Sequence, residues 1–123
     1  EPSAVIDDAV QVLAGTYISS DSRVGFGTLL NAGVILSHDD RLGRCVNLSP
    51  GAALGGAVRI GDFTQVGMRA TINLGVTVGR SVRIGNGATV KDDVPDGTRI
   101  FAGAVWPDRA GRDAGWKTYR KIA

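Results

Sequence analysis

The sequence predicts an all-β fold, a parallel β-helix, and two repeating features support this prediction. In steps of six from Ile6 to Val90, every position holds Ile, Val or Leu. The fourth residue after each aliphatic position is Ser, Thr, Ala or Val, with Asp40 as the sole exception. A hexapeptide period of this kind is typical of a parallel β-helix, in which short strands alternate with corners.

Glycine often follows the aliphatic residue directly, as at Gly25, Gly43 and Gly61. A tight corner needs a backbone conformation with positive φ, which glycine adopts at little cost. We therefore expect the chain to turn at this position. Asn31 occupies the same position in its repeat, and asparagine also tolerates the left-handed conformation.

Three hexapeptides make one triangular coil, because the repeat resembles that of left-handed β-helices. The predicted fold is thus a left-handed parallel β-helix of about five coils with a short C-terminal extension. The coils are residues 6–23, 24–41, 42–59, 60–77 and 78–95. At a strand spacing of about 4.8 Å, such a stack is roughly 24 Å tall. Residues 18 apart in sequence then become neighbours in columns.

Both ends of the chain depart from the repeat. The β-helix domain is predicted to span residues 1–105, and residues 106–123 form the extension. The repeat is expected to stop at the turn signal Pro95-Asp96-Gly97, after which residues 98–105 form one closing strand. A short helix is predicted for residues 113–122. Since the chain begins at Glu1 rather than at methionine, a further N-terminal domain outside this sequence remains open.

Composition excludes several classes of protein. The net charge of +2 is too small to indicate nucleic-acid binding, and a single cysteine, Cys45, excludes an internal disulfide framework. No apolar run approaches the roughly 20 residues of a membrane span, and no signal peptide is expected. We therefore expect a cytoplasmic protein without a membrane partner.

His38 is the only histidine, and its position in the repeat projects away from the core. Its neighbour in the next coil is Gly56, whose missing side chain is expected to leave room for a substrate against the imidazole. An exposed lone histidine is usually inert, but one beside such a gap suits a general base that meets a bound acyl donor. Asp39 is the favoured partner that fixes the imidazole tautomer.

Asp40 stands at a position expected to face the interior, where a carboxylate is costly without partners. Two interpretations are open. Asp40 acts beside His38 in the substrate-binding site, or it bonds Ser22 or a backbone amide of the adjacent coil.

Arg23, Arg41 and Arg59 stack in successive coils. Like charges about 5 Å apart are unfavourable unless something neutralises them. Asp21 and Asp39 are expected to do so, and the alternative is an anionic substrate or the phosphates of a cofactor.

Two segments carry a family resemblance: NAGVILSHDD from Asn31 to Asp40, and VNLSPGA from Val46 to Ala52. They resemble the acyltransferase domain of bacterial sugar O- and N-acetyltransferases, left-handed β-helix enzymes that acetylate sialic acid or nucleotide-linked 4-amino sugars. The resemblance covers approximately residues 15–105. It implies acetyl-coenzyme A as co-substrate, a sugar acceptor, and a homotrimer with active sites between neighbouring subunits.

The resemblance also implies roles for individual residues. His38 is the general base, Asp39 orients it, and Asn31 lines the acceptor pocket. The amide of Gly56 contacts the thioester carbonyl and stabilises the oxyanion. The pantetheine arm is expected to pass Gly56, Met68, Leu74 and Asn86, and the coenzyme phosphates to meet Lys91 and Arg99. The family usually has a small residue or cysteine where Asp40 stands, and its members commonly carry an N-terminal nucleotide-sugar domain.

Two other functions are found among proteins with a β-helix. Zinc carbonic anhydrases of the β-helix type need three histidine ligands per metal ion, and this chain has one histidine, so no metal is expected. The main alternative is a non-catalytic β-helix used for trimerisation or scaffolding, which the loop-free repeat favours slightly.

Overall fold

The computed structural model describes residues 1, 3–108 and 119–121 as a stack of very short strands. The strands in chain order are β1 Val5–Ile6, β2 Gln11–Val12, β3 Tyr17–Ile18, β4 Arg23–Val24, β5 Leu29–Leu30, β6 Ile35–Leu36, β7 Arg41–Leu42, β8 Asn47–Leu48, β9 Ala53–Leu54, β10 Arg59–Ile60, β11 Gln65–Val66, β12 Thr71–Ile72, β13 Thr77–Val78, β14 Arg83–Ile84, β15 Thr89–Val90, β16 Thr98–Ile100, β17 Val105–Trp106 and β18 Tyr119–Lys121. Within these ranges no helix has the length and apolarity to cross a membrane, and no three His, Cys, Asp or Glu side chains are grouped to hold a metal ion.

The strands form three sheets, which we call faces A, B and C. Face A contains β1, β4, β7, β10 and β13. Face B contains β2, β5, β8, β11, β14 and β16, with β18 antiparallel at its end, and face C contains β3, β6, β9, β12, β15 and β17. Neighbouring parallel strands pair across 18 residues, as Leu30 does with Leu48. The prediction of an all-β, left-handed parallel β-helix is confirmed.

The aliphatic column fills the interior of the prism. Leu30, Leu36 and Leu48 are each 0% exposed. In the first coil, by contrast, Ile6 is 43% and Val12 45% exposed, because no described coil covers the outer side of the first coil. Burying one such side chain contributes about 1.5–3 kcal/mol, so the stacked coils stabilise one another.

The prediction that the glycine after each aliphatic residue has positive φ is wrong. Positive φ occurs two residues further on, at Gly27 (74°) and Asp39 (61°) among others. The glycines that directly follow the aliphatic residues allow neighbouring coils to approach each other closely. A Cβ on Gly61, for example, would lie 2.7 Å from the carbonyl carbon of Gly79 in the next coil. Asn31, which shares the position of these glycines, also lacks the positive φ expected of it.

We expect Gly61→Ala to destabilise the protein more than Gly87→Ala. The added methyl at Gly61 meets backbone that has to shift, which costs about 3 kcal/mol. Gly87 has open space around its Cβ position but a φ of +69°, so alanine there costs roughly 1 kcal/mol of backbone strain. Equilibrium urea unfolding of both variants measures the difference, and a larger loss for Gly87→Ala contradicts this account.

The repeat continues past Pro95, contrary to prediction. Ile100 pairs with Ile84 and Trp106 with Val90, so β16 and β17 belong to a sixth coil. These pairs are 16 rather than 18 residues apart, because two residues are lost before Val94, which bridges Val78. Residues 98–105 are therefore two strands and a corner instead of one closing strand.

The helix predicted for residues 113–122 lies mostly outside the described residues. The part that is described, Tyr119–Lys121, is strand β18, which pairs antiparallel with β16. The prediction of helix is wrong for these three residues.

Candidate active site

His38 and Asp39 form a pair in the corner between β6 and β7, on the edge of the prism that joins face C to face A. We call this the C–A edge. Nδ1 of His38 lies 3.0 Å from Oδ2 of Asp39, and the two side chains are 59% and 58% exposed. With Nδ1 held by a carboxylate, Nε2 is left to accept a proton. The predicted contact between the two residues is present.

The imidazole of His38 lies directly over Gly56 of the next coil. A Cβ on Gly56 would be 2.6 Å from Cε1 of His38 and closer still to Nε2. Gly56 is consequently buried. The prediction that its missing side chain leaves room for a substrate is wrong, because the ring itself occupies that space.

The amide N–H of Gly56 has no hydrogen-bond acceptor among the described residues. At the equivalent corner position of another coil, the amide of Arg44 donates to Oδ1 of Asp62, 2.8 Å away. The residue that would serve Gly56 in this way is Leu74, whose side chain has no acceptor atom. A hydrogen-bond donor is therefore left unpaired under His38.

Asp40 is entirely buried. One carboxylate oxygen accepts from the amide of Ser37 (2.8 Å) and the other from the amide of Val58 (2.9 Å), while the amide of Asp40 donates to Oγ of Ser22 (3.2 Å). The prediction that Asp40 binds substrate is wrong, since both oxygens face the interior. The alternative, bonding to Ser22 and to an adjacent backbone amide, is confirmed.

Burial raises the pKa of Asp40 from 3.8 to about 6, although the hydrogen bonds from Val58 and Ser37 and the proximity of His38 lower it. The folded state therefore binds the proton more tightly than the unfolded state. The resulting stabilisation is complete below about pH 4 and is lost as the pH rises through 6. A shift of this size corresponds to about 3 kcal/mol.

We expect Asp40→Ser to remove this part of the pH dependence. Ser22 occupies the same position one coil earlier, and its hydroxyl is fully hydrogen-bonded there. It donates to the carbonyl of Ser37 and accepts from the amide of Asp40. The stability of the variant relative to wild type should rise by about 2–3 kcal/mol between pH 4 and pH 7.5. Urea unfolding across this range measures it, and a difference independent of pH contradicts the account.

The predicted site residues divide between two edges that both border face C. The C–A edge carries His38, Asp39, Gly56, Leu74 and Lys91. The edge that joins face B to face C, which we call the B–C edge, carries Asn31, Met68 and Asn86. Face C separates the two groups, so these residues do not lie along one path within a single chain, and the predicted course of the pantetheine arm stays a prediction.

The polar residues Asn31 and Asn86 of the B–C edge form hydrogen bonds with the backbone of the adjacent coil. Nδ2 of Asn31 donates to the carbonyl of Leu48 (3.3 Å), and Oδ1 of Asn86 accepts from the amide of Met68 (2.8 Å). Apolar side chains are exposed on both edges, with Met68 at 47% and Leu74 at 70%. Each edge thus offers an apolar contact surface.

A groove with a volume of about 390 Å³ lies on face B beside the B–C edge. Its polar lining is Asn47, Ser49, Gln65, Arg83, Asn86 and Arg99. Of the two predicted phosphate partners, Arg99 lines the groove and Lys91 does not. Sequence reasoning missed this groove because its lining residues come from several coils and match no motif.

Face A presents Arg23, Arg41 and Arg59, which we call the arginine column. They are register partners on neighbouring strands, and all three are exposed. Throughout the described ranges, no carboxylate oxygen lies within 4.0 Å of their guanidinium nitrogens. Asp39 contacts His38 instead, so the expected neutralisation by Asp21 and Asp39 does not occur through direct ion pairs.

The chain is similar to known proteins in its three-dimensional structure. No protein-family model matches the chain. No curated protein matches it by sequence. A histidine-to-alanine variant of GDP-perosamine N-acetyltransferase from Caulobacter crescentus, in complex with CoA and GDP-perosamine, is 34% identical over 82% of this chain and 51% of that chain, with a TM-score of 0.72.

A second solved structure is the acetyltransferase domain of PglB from Neisseria gonorrhoeae in complex with acetyl coenzyme A. It is 32% identical, with coverage of 85% of this chain and 54% of that chain and a TM-score of 0.55. The chain spans about half the length of each of these two proteins.

Proposed function

Because the chain belongs to the left-handed β-helix, or hexapeptide-repeat, acyltransferases, we propose that it transfers an acetyl group from acetyl-coenzyme A to a sugar. The observation that carries this proposal is the exposed His38–Asp39 pair, with Nδ1 and Oδ2 3.0 Å apart. Similarity to an N-acetyltransferase favours an amino over a hydroxyl acceptor. We propose the cytoplasm as the location of this reaction, because the proposed donor is a cytoplasmic metabolite.

In this reaction the acceptor nitrogen attacks the thioester carbonyl while Nε2 of His38 takes its proton. The carbon–sulfur bond then breaks, and the proton passes to the sulfur of the departing coenzyme. Asp39 keeps a proton on Nδ1 and stabilises the imidazolium, and general base catalysis of this kind contributes about 10²–10⁴ in rate. The Gly56 amide donates to the developing oxyanion once the exposed ring tilts away from it.

We further propose a homotrimer in which face C lies toward the threefold axis. The outward side chains of face C include Tyr17, Ile35 and Val105, which are 52%, 46% and 48% exposed. An apolar face of this kind favours contact with copies of the same chain. Face A, which carries the arginine column, suits solvent instead.

In such a trimer, the predicted site residues of the two edges would lie close together at the contact between subunits. The C–A edge of one subunit would meet the B–C edge of the next, since both edges border face C. The pantetheine arm would then run between Gly56 and Leu74 of one subunit and Met68 and Asn86 of its neighbour. The groove beside Asn86 would take the coenzyme phosphates, with Arg99 as one partner.

Direct assay tests the proposed activity. Incubation with acetyl-coenzyme A and a nucleotide-linked amino sugar should give the N-acetylated sugar and free coenzyme A, both measured by chromatography and mass spectrometry. A thiol reagent is unsuitable because Cys45 is exposed. Calorimetric titration with acetyl-coenzyme A should show binding, and no binding at millimolar ligand would favour the scaffold.

A further inference from the structure

The arginine column is a charged feature beside the candidate site to which the proposed reaction gives no role. Its members begin β4, β7 and β10, and their Cα atoms are paired in register. The column ends in uncharged residues, Val5 on one side and Thr77 on the other. Three cations thus stand at successive levels of one face.

No described carboxylate forms a direct ion pair with the arginine column. Neighbouring strands are about 4.8 Å apart, so adjacent guanidinium groups repel one another. Two other arginines rest on aromatic rings, Arg44 at 5.8 Å from the centroid of Phe26 and Arg99 at 5.3 Å from that of Phe101. The arginine column has neither a ring nor a carboxylate against it among the described residues.

The column also lies next to the candidate site. Arg41 follows Asp39 by two residues and begins the strand that leaves the His38 corner. Arg59 begins the strand that leaves the Gly56 corner. An anion held on face A by these two arginines is therefore adjacent to the edge that carries the imidazole.

We propose that the arginine column binds the diphosphate of the acetyl acceptor and holds the attached sugar at the C–A edge, where His38 lies. Guanidinium groups bind phosphate oxygens in bidentate fashion, and a diphosphate presents two linked anionic groups to cations stacked in a row. This inference rests on the proposed function. Coenzyme A carries a diphosphate too, but the groove proposed for it lies on face B.

Kinetics of Arg41→Gln test the inference, with Arg80→Gln as the matched control. Arg80 is an exposed arginine on the edge between faces A and B, outside the proposed sites. Arg41→Gln should raise KM for a nucleotide-linked amino sugar about tenfold, because hydrogen bonds between charged groups are lost. It should leave kcat and the KM for acetyl-coenzyme A within about twofold of wild type. Arg80→Gln should change none of them.

A rise in KM for acetyl-coenzyme A without one for the sugar nucleotide would assign the column to the donor and overturn the inference. Unchanged KM values in Arg41→Gln would also overturn it.

Titration with GDP and UDP decides the matter independently of turnover. Wild type and Arg80→Gln should bind at least one of the two nucleotides, and Arg41→Gln should bind it about tenfold more weakly. Equal binding by all three proteins, or none by wild type, would contradict the inference. A wild type that binds the nucleotide but transfers no acetyl group would contradict the proposed function instead.

Discussion

His38→Ala is expected to lower kcat for acetyl transfer by about 10³-fold, within the range that general base catalysis contributes. The ring is exposed and outside the aliphatic core, so its removal should leave the melting temperature and the oligomeric mass nearly unchanged. Binding of acetyl-coenzyme A should persist, because the base acts on the acceptor. Steady-state kinetics, calorimetry and light scattering measure the three properties. Near-normal turnover would exclude His38 as the base.

A pair of aspartate variants controls for charge near the site. Asp21 and Asp39 occupy the same corner position in successive coils, both with positive φ, but only Asp39 contacts the imidazole. Asp39→Asn should reduce kcat by about 10–100-fold, because the amide no longer stabilises the imidazolium. Asp21→Asn should leave kcat unchanged. Equal effects of the two variants would show that Asp39 acts only through its charge at a distance.

Gly56→Ala is expected to reduce kcat by about 10²-fold, because its methyl group would occupy the space of the His38 ring. A Cβ there would lie 2.6 Å from Cε1 of the imidazole, so the ring has to move. Gly56 lacks positive φ, and alanine is therefore compatible with its backbone. The variant should fold, with unfolding followed by circular dichroism, while kinetics report the loss.

The double variant His38→Ala, Gly56→Ala distinguishes two roles for Gly56. Gly56 either makes space for the His38 ring or is needed for the fold in general. If Gly56 acts through His38, the double variant should be no slower than His38→Ala alone, since effects on one unit do not add. Its melting temperature should also equal that of His38→Ala, because alanine at position 38 leaves room for the methyl group. A further loss of either property in the double variant would contradict this role for Gly56.

The sequence period was sufficient to predict the β-helix, because one aliphatic residue per hexapeptide points inward whatever its neighbours are. The period could not reveal which corner residue is left-handed. Phe63 and Arg69 both have positive φ, although neither residue type indicates it. The sixth coil escaped prediction for a similar reason, since the loss of two residues before Val94 shifts the register of Ile100 and Trp106.

The site was predictable where it depends on adjacent residues or on burial. Asp39 follows His38 directly, and the inward position of Asp40 allowed its buried hydrogen bonds to be anticipated as one of two interpretations. The sequence correctly predicted that His38 and Gly56 are neighbours. The predicted space for a substrate at Gly56 was wrong, because a sequence does not show whether such a space is filled by a neighbouring ring or left for a ligand. The groove on face B depends on side chains from four coils and has no local signature.

The central proposal is that acetyl transfer occurs between the C–A edge of one subunit and the B–C edge of the next, and mixed trimers test it most directly. His38→Ala disables one edge, and Met68→Glu should disable the other by placing a carboxylate in the path of the pantetheine arm. The two variants, each inactive alone, are co-expressed with different tags and purified through both.

In every such mixed trimer, one of the three sites combines an intact His38 with an intact neighbouring Met68. The account predicts about one third of wild-type activity. Mixed trimers with no more activity than either parent variant would contradict it.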